Sequence, residues 1–132
     1  MRSGSPGGLG EYLRRRASLL SKQEELLREF AERVAARLGR CTILLFGSRA
    51  RGDHLPYSDF DVAVVVERAE DKLAMIEELR EMQPRGLPLD LVVLEAEELA
   101  DPLVEEMLRG SKVLHDSLGV EARRQGPRRA SS

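Results

Sequence analysis

Two apolar runs constrain this chain more than anything else in it: Cys41-Thr42-Ile43-Leu44-Leu45-Phe46, and Phe60-Asp61-Val62-Ala63-Val64-Val65-Val66. Runs so short and so continuous read as strands buried on both faces, because a half-exposed strand would alternate apolar with polar residues. Such strands need helices to cover them. The sequence supplies three candidates. Over residues 11 to 38, Leu13, Leu20, Leu27 and Val34 recur every seven positions, and Leu19, Leu26, Phe30, Ala31 and Leu38 widen the stripe. That is the period of an amphipathic helix, with Gly39 placed to end it. Within it, Ser21-Lys22-Gln23-Glu24 has the form of a capping box, which leaves open a break near Leu20 and a second helix over 22 to 38. Helical spacing returns over 71 to 82 through Leu73, Ile76 and Leu79, and again over 96 to 108, with Pro102 in the first turns or starting a second piece. Residues 89 to 94 read as a third strand, and 112 to 115 as a short fourth. The order predicts an α/β fold, a small mixed sheet of three to four strands packed with helices.

A chain of 132 residues with 42% hydrophobic content is long enough for one core and too short for two ordinary domains. The expected organisation is a flexible tail over 1 to 10, a working domain over 11 to 116, and a second flexible tail over 117 to 132, where Arg123, Arg124, Arg128 and Arg129 read as solvated. A net charge of −2 and an aromatic content of 4% provide neither a basic groove nor stacking platforms, which argues against a nucleic-acid partner. With no membrane-spanning run and no signal peptide, the expected location is the cytoplasm. Cys41, the single cysteine, sits in an apolar run and reads as a core thiol. His54 and His115 lack partners at zinc-ligand spacing.

The polar residues that interrupt the apolar runs carry the chemistry. Gly47-Ser48 ends the first strand, Asp59 and Asp61 enter the second, and Asp90 enters the third. For Ser48 to meet Asp59, the first two strands must run antiparallel; for Asp61 to meet Asp90, the second and third must run parallel, joined by the crossover helix over 71 to 82. Alternation puts Asp59 and Asp61 on one face, with Phe60, Val62 and Val64 on the other. If Asp90, which alternates with Leu89 and Leu91, faces the same side, the three acids repel one another, and a hard cation removes that repulsion. Magnesium suits them: two ions can hold the attacking and leaving oxygens of a phosphoryl-type transfer. In this reading Asp59 and Asp61 serve both ions, while Asp90 completes the ion nearer the acceptor and takes its proton. Gly47 leaves room for phosphates, Ser48 offers a hydroxyl at the start of a short helical turn, and Arg49 and Arg51 are candidate phosphate contacts.

These residues are similar to the signature of the minimal nucleotidyltransferases of the DNA polymerase β superfamily: an apolar strand, Gly-Ser, ten residues, Asp-x-Asp, and a later Asp between apolar residues, here Leu89-Asp90-Leu91. The resemblance covers about residues 22 to 115 and implies the polymerase-β-type fold, ATP or another nucleoside triphosphate as substrate, and Mg2+. Many such proteins resemble the antitoxin half of a pair with a HEPN-domain ribonuclease, which is silenced when AMP is added to a tyrosine. The implied activity is therefore protein adenylyltransfer to a HEPN partner. No second domain for a small acceptor is evident, unlike the aminoglycoside nucleotidyltransferases. A non-catalytic partner-binding module and a transferase acting on a small molecule remain the alternatives, and a homo-oligomer is left open.

Competing motifs fit less well. Residues 47 to 52 match the start of a P-loop, but Asp53-His54 stand where Lys and Ser or Thr are required. A haloacid-dehalogenase phosphatase places its first Asp at the end of an apolar strand, whereas here the strand follows Asp59.

Overall fold

A computed structural model of the chain describes residues 8 to 52 and 58 to 120. Asp53, His54 and the tail arginines from Arg123 onward lie outside the described residues. The elements run α1 (Leu9–Leu38), β1 (Thr42–Phe46), α2 (Ser48–Arg51), β2 (Phe60–Val66), α3 (Lys72–Arg80), β3 (Leu89–Glu95), a 3-10 turn (Ala96–Ala100), α4 (Pro102–Met107) and β4 (Lys112–Asp116). α1 is one helix of 30 residues, so the capping-box pattern at Ser21 does not break it. No Gly or Pro interrupts 11 to 38, and the core stripe runs through the pattern, which favours continuing the hydrogen-bond ladder. Gly39, at φ 76°, ends the helix by donating its N–H to the Ala35 carbonyl. Pro102 starts a separate helix, capped by Asp101, whose side chain accepts from the Leu103 N–H.

The four strands form one mixed sheet in the order β3-β2-β1-β4. β1 is antiparallel to both β2 and β4, and β2 is parallel to β3, joined through α3 as the crossover. Alternate residues build two separate cores. Ile43, Leu45, Val62, Val64, Leu91 and Val93 pack with Leu27, Phe30 and Val34 of α1 and Leu79 of α3. Leu44, Phe46, Ala63, Val65 and Leu94 face the other way, toward the 3-10 turn and α4. Both faces are apolar, which is why the strands read as continuous runs.

Packing continues past the expected domain end at 116. Leu118 and Val120 are buried in the second core, 6% and 1% exposed. Asp116 anchors this stretch: its Oδ1 accepts from Thr42 Oγ1 at 2.6 Å and from the Val120 N–H at 2.9 Å. Thr42 is fully buried, so its hydroxyl needs that partner.

Candidate active site

Where β1 ends, the chain turns sharply. Gly47 adopts φ 76°, a left-handed conformation that disfavours any residue with a Cβ, and its carbonyl accepts the N–H groups of Ala50 and Arg51 at 3.1 Å. The turn becomes α2, which Gly52 closes at φ 85°. A second constraint acts on Gly47. A Cβ there would stand 3.1 Å from Cγ of Asp61 and closer still to its Oδ2. The Asp61 carboxylate therefore rests on the Gly47 backbone, and the Gly-Ser corner and the acidic strand are fitted to each other.

Asp61 pairs with Phe46 on one side and with Asp90 on the other. Residues paired in register on neighbouring strands point to the same face, so the carboxylates of 61 and 90 stand side by side. That face is the one opposite α1, since Phe60, Val62, Leu89 and Leu91 fill the α1 side. Asp59 immediately precedes β2 and is exposed, as is Asp90; Asp61 is half-buried. The first residue of β2 is fixed by its N–H, which donates to the Pro88 carbonyl at 2.9 Å.

Electrostatics single out Asp61. Burial raises its carboxyl above the ordinary range, and repulsion from Asp90 and then Asp59 pushes it the same way, while Arg51 opposes them. Both other acids are thus close enough to act on it. Among the described residues no group of three or more His, Cys, Asp or Glu is closed tightly enough to hold a metal ion as it stands. Magnesium asks for less: it keeps several waters and takes one or two carboxylates plus substrate phosphates. Asp61 and Asp90, with Asp59 at the strand entry, are a donor set of that kind.

The two arginines part company. Arg51 is exposed and acts on Asp61. Arg49 is buried at 7% exposure and turned to the α1 face. Its Nε and Nη2 donate to the Ser58 carbonyl at 3.1 and 2.7 Å, Nη2 also reaches Gln23 Oε1 at 3.4 Å, and its guanidinium lies 4.2 Å over the Phe60 ring. It fixes the two residues flanking Asp59. Burial lowers the Arg49 pKa, and Asp59 and then Glu24 raise it in opposition. Sequence reasoning passed over Gln23, although it stands at an apolar position of the α1 stripe, four residues before Leu27, and is buried. A polar residue there is a signal that something across the core needs an acceptor. Ser48 is half-buried at the start of α2.

No helix among the described residues is long and apolar enough to cross a membrane. Comparison with curated proteins gives no match. Among solved structures the chain resembles a provisionally assigned nucleotidyltransferase from Sulfolobus solfataricus, with a TM-score of 0.58 and 22% identity over 74% of this chain and 84% of that one. At that identity the likeness speaks for the fold. The family model described as nucleotidyltransferase domain matches residues 27 to 115, from the core half of α1 into β4 and including Gly47, Ser48, Asp59, Asp61 and Asp90. The chain belongs to the nucleotidyltransferase domain family, and its chemistry is nucleotidyl transfer.

Proposed function

We propose that this chain is a magnesium-dependent transferase that moves AMP from ATP to a hydroxyl acceptor, and that the acceptor is a tyrosine of a HEPN-domain partner, so that the chain acts as an antitoxin. The observation that carries the catalytic part is the register pairing of Asp61 with Asp90, with Gly47 beneath the Asp61 carboxylate. Asp59, Asp61 and Asp90 would hold the metal, which, when bound, offsets the charge of the triphosphate and of the pyrophosphate that leaves. The acceptor oxygen bonds to the α-phosphorus as the bond from that phosphorus to the bridging oxygen breaks, and pyrophosphate departs with the electron pair. Asp90, exposed at the edge of the acidic pair, takes the acceptor's proton. Arg51 adds positive charge beside Asp61, and Arg49 holds the Ser58 carbonyl, next to Asp59, from the far face.

The protein acceptor rests on the resemblance of the Gly-Ser and Asp-x-Asp segment to the antitoxin half of HEPN pairs. The test is to mix the chain with a HEPN-domain protein and with α-labelled ATP. Label should appear on a tyrosine of the partner, require magnesium, and vanish with Asp61→Asn. Label on a small molecule alone, or protection that persists in the Asp61→Asn variant, defeats the reading.

A further inference from the structure

Of the three acids, Asp59 is the one that the sheet does not hold. Register pairing starts at Phe60 on the β3 side and at Asp61 on the β1 side, so residue 59 lies outside both ladders. It is also exposed, so core packing does not direct it. An exposed side chain on unpaired backbone samples many directions, whereas a metal ligand has to keep one. Two contacts bracket Asp59 instead. Downstream, the Phe60 N–H donates to the Pro88 carbonyl at 2.9 Å. Upstream, Nε and Nη2 of Arg49 both donate to the Ser58 carbonyl, at 3.1 and 2.7 Å. A peptide unit is planar, so a carbonyl held at residue 58 also fixes the N–H and the N–Cα direction of residue 59. With both flanking peptides set, the Asp59 backbone keeps little freedom.

Arg49 is itself anchored. Its guanidinium lies over the buried Phe60 ring, and its Nη2 reaches Oε1 of Gln23, buried on α1. One planar fork therefore ties α1 to the entry of β2. A lysine could carry the charge, but it could not grip one carbonyl with two donors while lying flat on a ring. We propose that Arg49 is a positioning residue of the active site: from the face opposite the acids it fixes the Ser58–Asp59 peptide, and so keeps the Asp59 carboxylate where a metal–nucleotide complex can use it. The proposal rests on the magnesium-dependent reading above. Groups that orient a metal ligand without touching the metal contribute about ten- to a hundredfold in metal affinity. The clamp can also be reached from outside, because Arg49 and Phe60 line a cavity of about 610 Å³ between α1 and the sheet.

Two measurements on the whole chain test it. Nitrogen-15 relaxation reads the order of the Asp59 amide, and binding of Mn2+ with α,β-methylene-ATP, which cannot release pyrophosphate, reads the consequence. In the parent the Asp59 amide should be as ordered as the strand, with an order parameter of about 0.85. Arg49→Lys should drop it below about 0.6 and weaken binding of the Mn2+–analogue complex about tenfold, while the Asp61 amide, held by the ladders, stays ordered. Arg49→Ala should do the same. Ethylguanidinium, the piece of side chain that this variant lacks, should restore both order and binding through the cavity, whereas ethylammonium, of equal charge but without the fork, should not. Asp59 order that survives Arg49→Lys overturns the proposal. So does unchanged binding in a variant that has lost that order, or rescue that fails to distinguish the two cations. A parent that binds no Mn2+–analogue complex, while order at Asp59 still follows Arg49, defeats the transferase reading and leaves the backbone clamp standing.

Discussion

The two faces of the sheet are made from alternate residues of the same strands, yet they do opposite work. Under α1 and α3 the face is apolar from end to end, with Phe60, Val62, Val64 and Val66 on β2 beside Leu89, Leu91 and Val93 on β3. Under the 3-10 turn and α4 the same two strands present Ala63, Val65 and Leu94 and then, at one register level, Asp61 and Asp90. The comparison teaches that one face is apolar along its whole length, whereas the other joins a second, smaller core to unfavourable charge held at one end. The acids are an electrostatic cost to the empty protein.

Substitutions that act on one face only can break or sharpen that contrast. The largest effect is expected from Asp61→Asn, which should reduce nucleotidyl transfer about a thousandfold or more, read as kcat/KM. The same change should raise the thermal midpoint of the nucleotide-free protein by about 1–4 °C. The folded state keeps Asp61 protonated to a higher pH than the unfolded chain does, so raising the pH through that interval costs the fold stability, and a neutral Asn escapes the cost. The gain should therefore fade at acidic pH, where both states are protonated. A midpoint that falls at neutral pH would count against the contrast.

Next, Phe30→Ala empties a fully buried position on the α1 face and should cost about 3–5 kcal/mol in denaturant unfolding while leaving activity per folded molecule nearly unchanged. Gly47→Ala should be smaller in stability, about 1–3 kcal/mol from the left-handed backbone, yet severe in activity because its Cβ displaces the Asp61 carboxylate. The smallest effect is expected from Lys72→Met. Its 2.5 Å ion pair with Glu98 ties α3 to the 3-10 turn at partly exposed positions, and its loss should cost less than about 1 kcal/mol, measured by urea unfolding, with transfer unaffected.

Much of this was legible in the residues because the signals are local. Runs 41 to 46 and 60 to 66 became β1 and β2 nearly to the residue; Gly39 and Pro102 mark helix ends through their backbone, and Asp71 and Asp101 through side chains that accept the N–H groups of Ala74 and Leu103. Strand directions followed from requiring Ser48, Asp61 and Asp90 to meet, and the sheet has those directions. Where local signals conflicted, the longer one prevailed. At Ser21 a four-residue capping pattern was outweighed by a stripe running the length of α1.

What the sequence determined by itself is the set of elements, their order and the alternation that sets Asp61 and Asp90 apart from the apolar core, since periodicity and capping act within a few residues. Only the tertiary structure decided which arginine approaches the acids and which turns away. Arg49 and Arg51 are two residues apart on a four-residue helix, and no local preference distinguishes them. Arg49 is drawn to the α1 side by the Ser58 carbonyl, Gln23 and the Phe60 ring. Tertiary packing likewise decided that Leu118 and Val120 belong to the core, through the Asp116 carboxylate joining Thr42 to the Val120 N–H. Gln23 and Thr42 lie 26 and 74 positions from the partners they bind, and contacts at such separations exist only once the chain has folded.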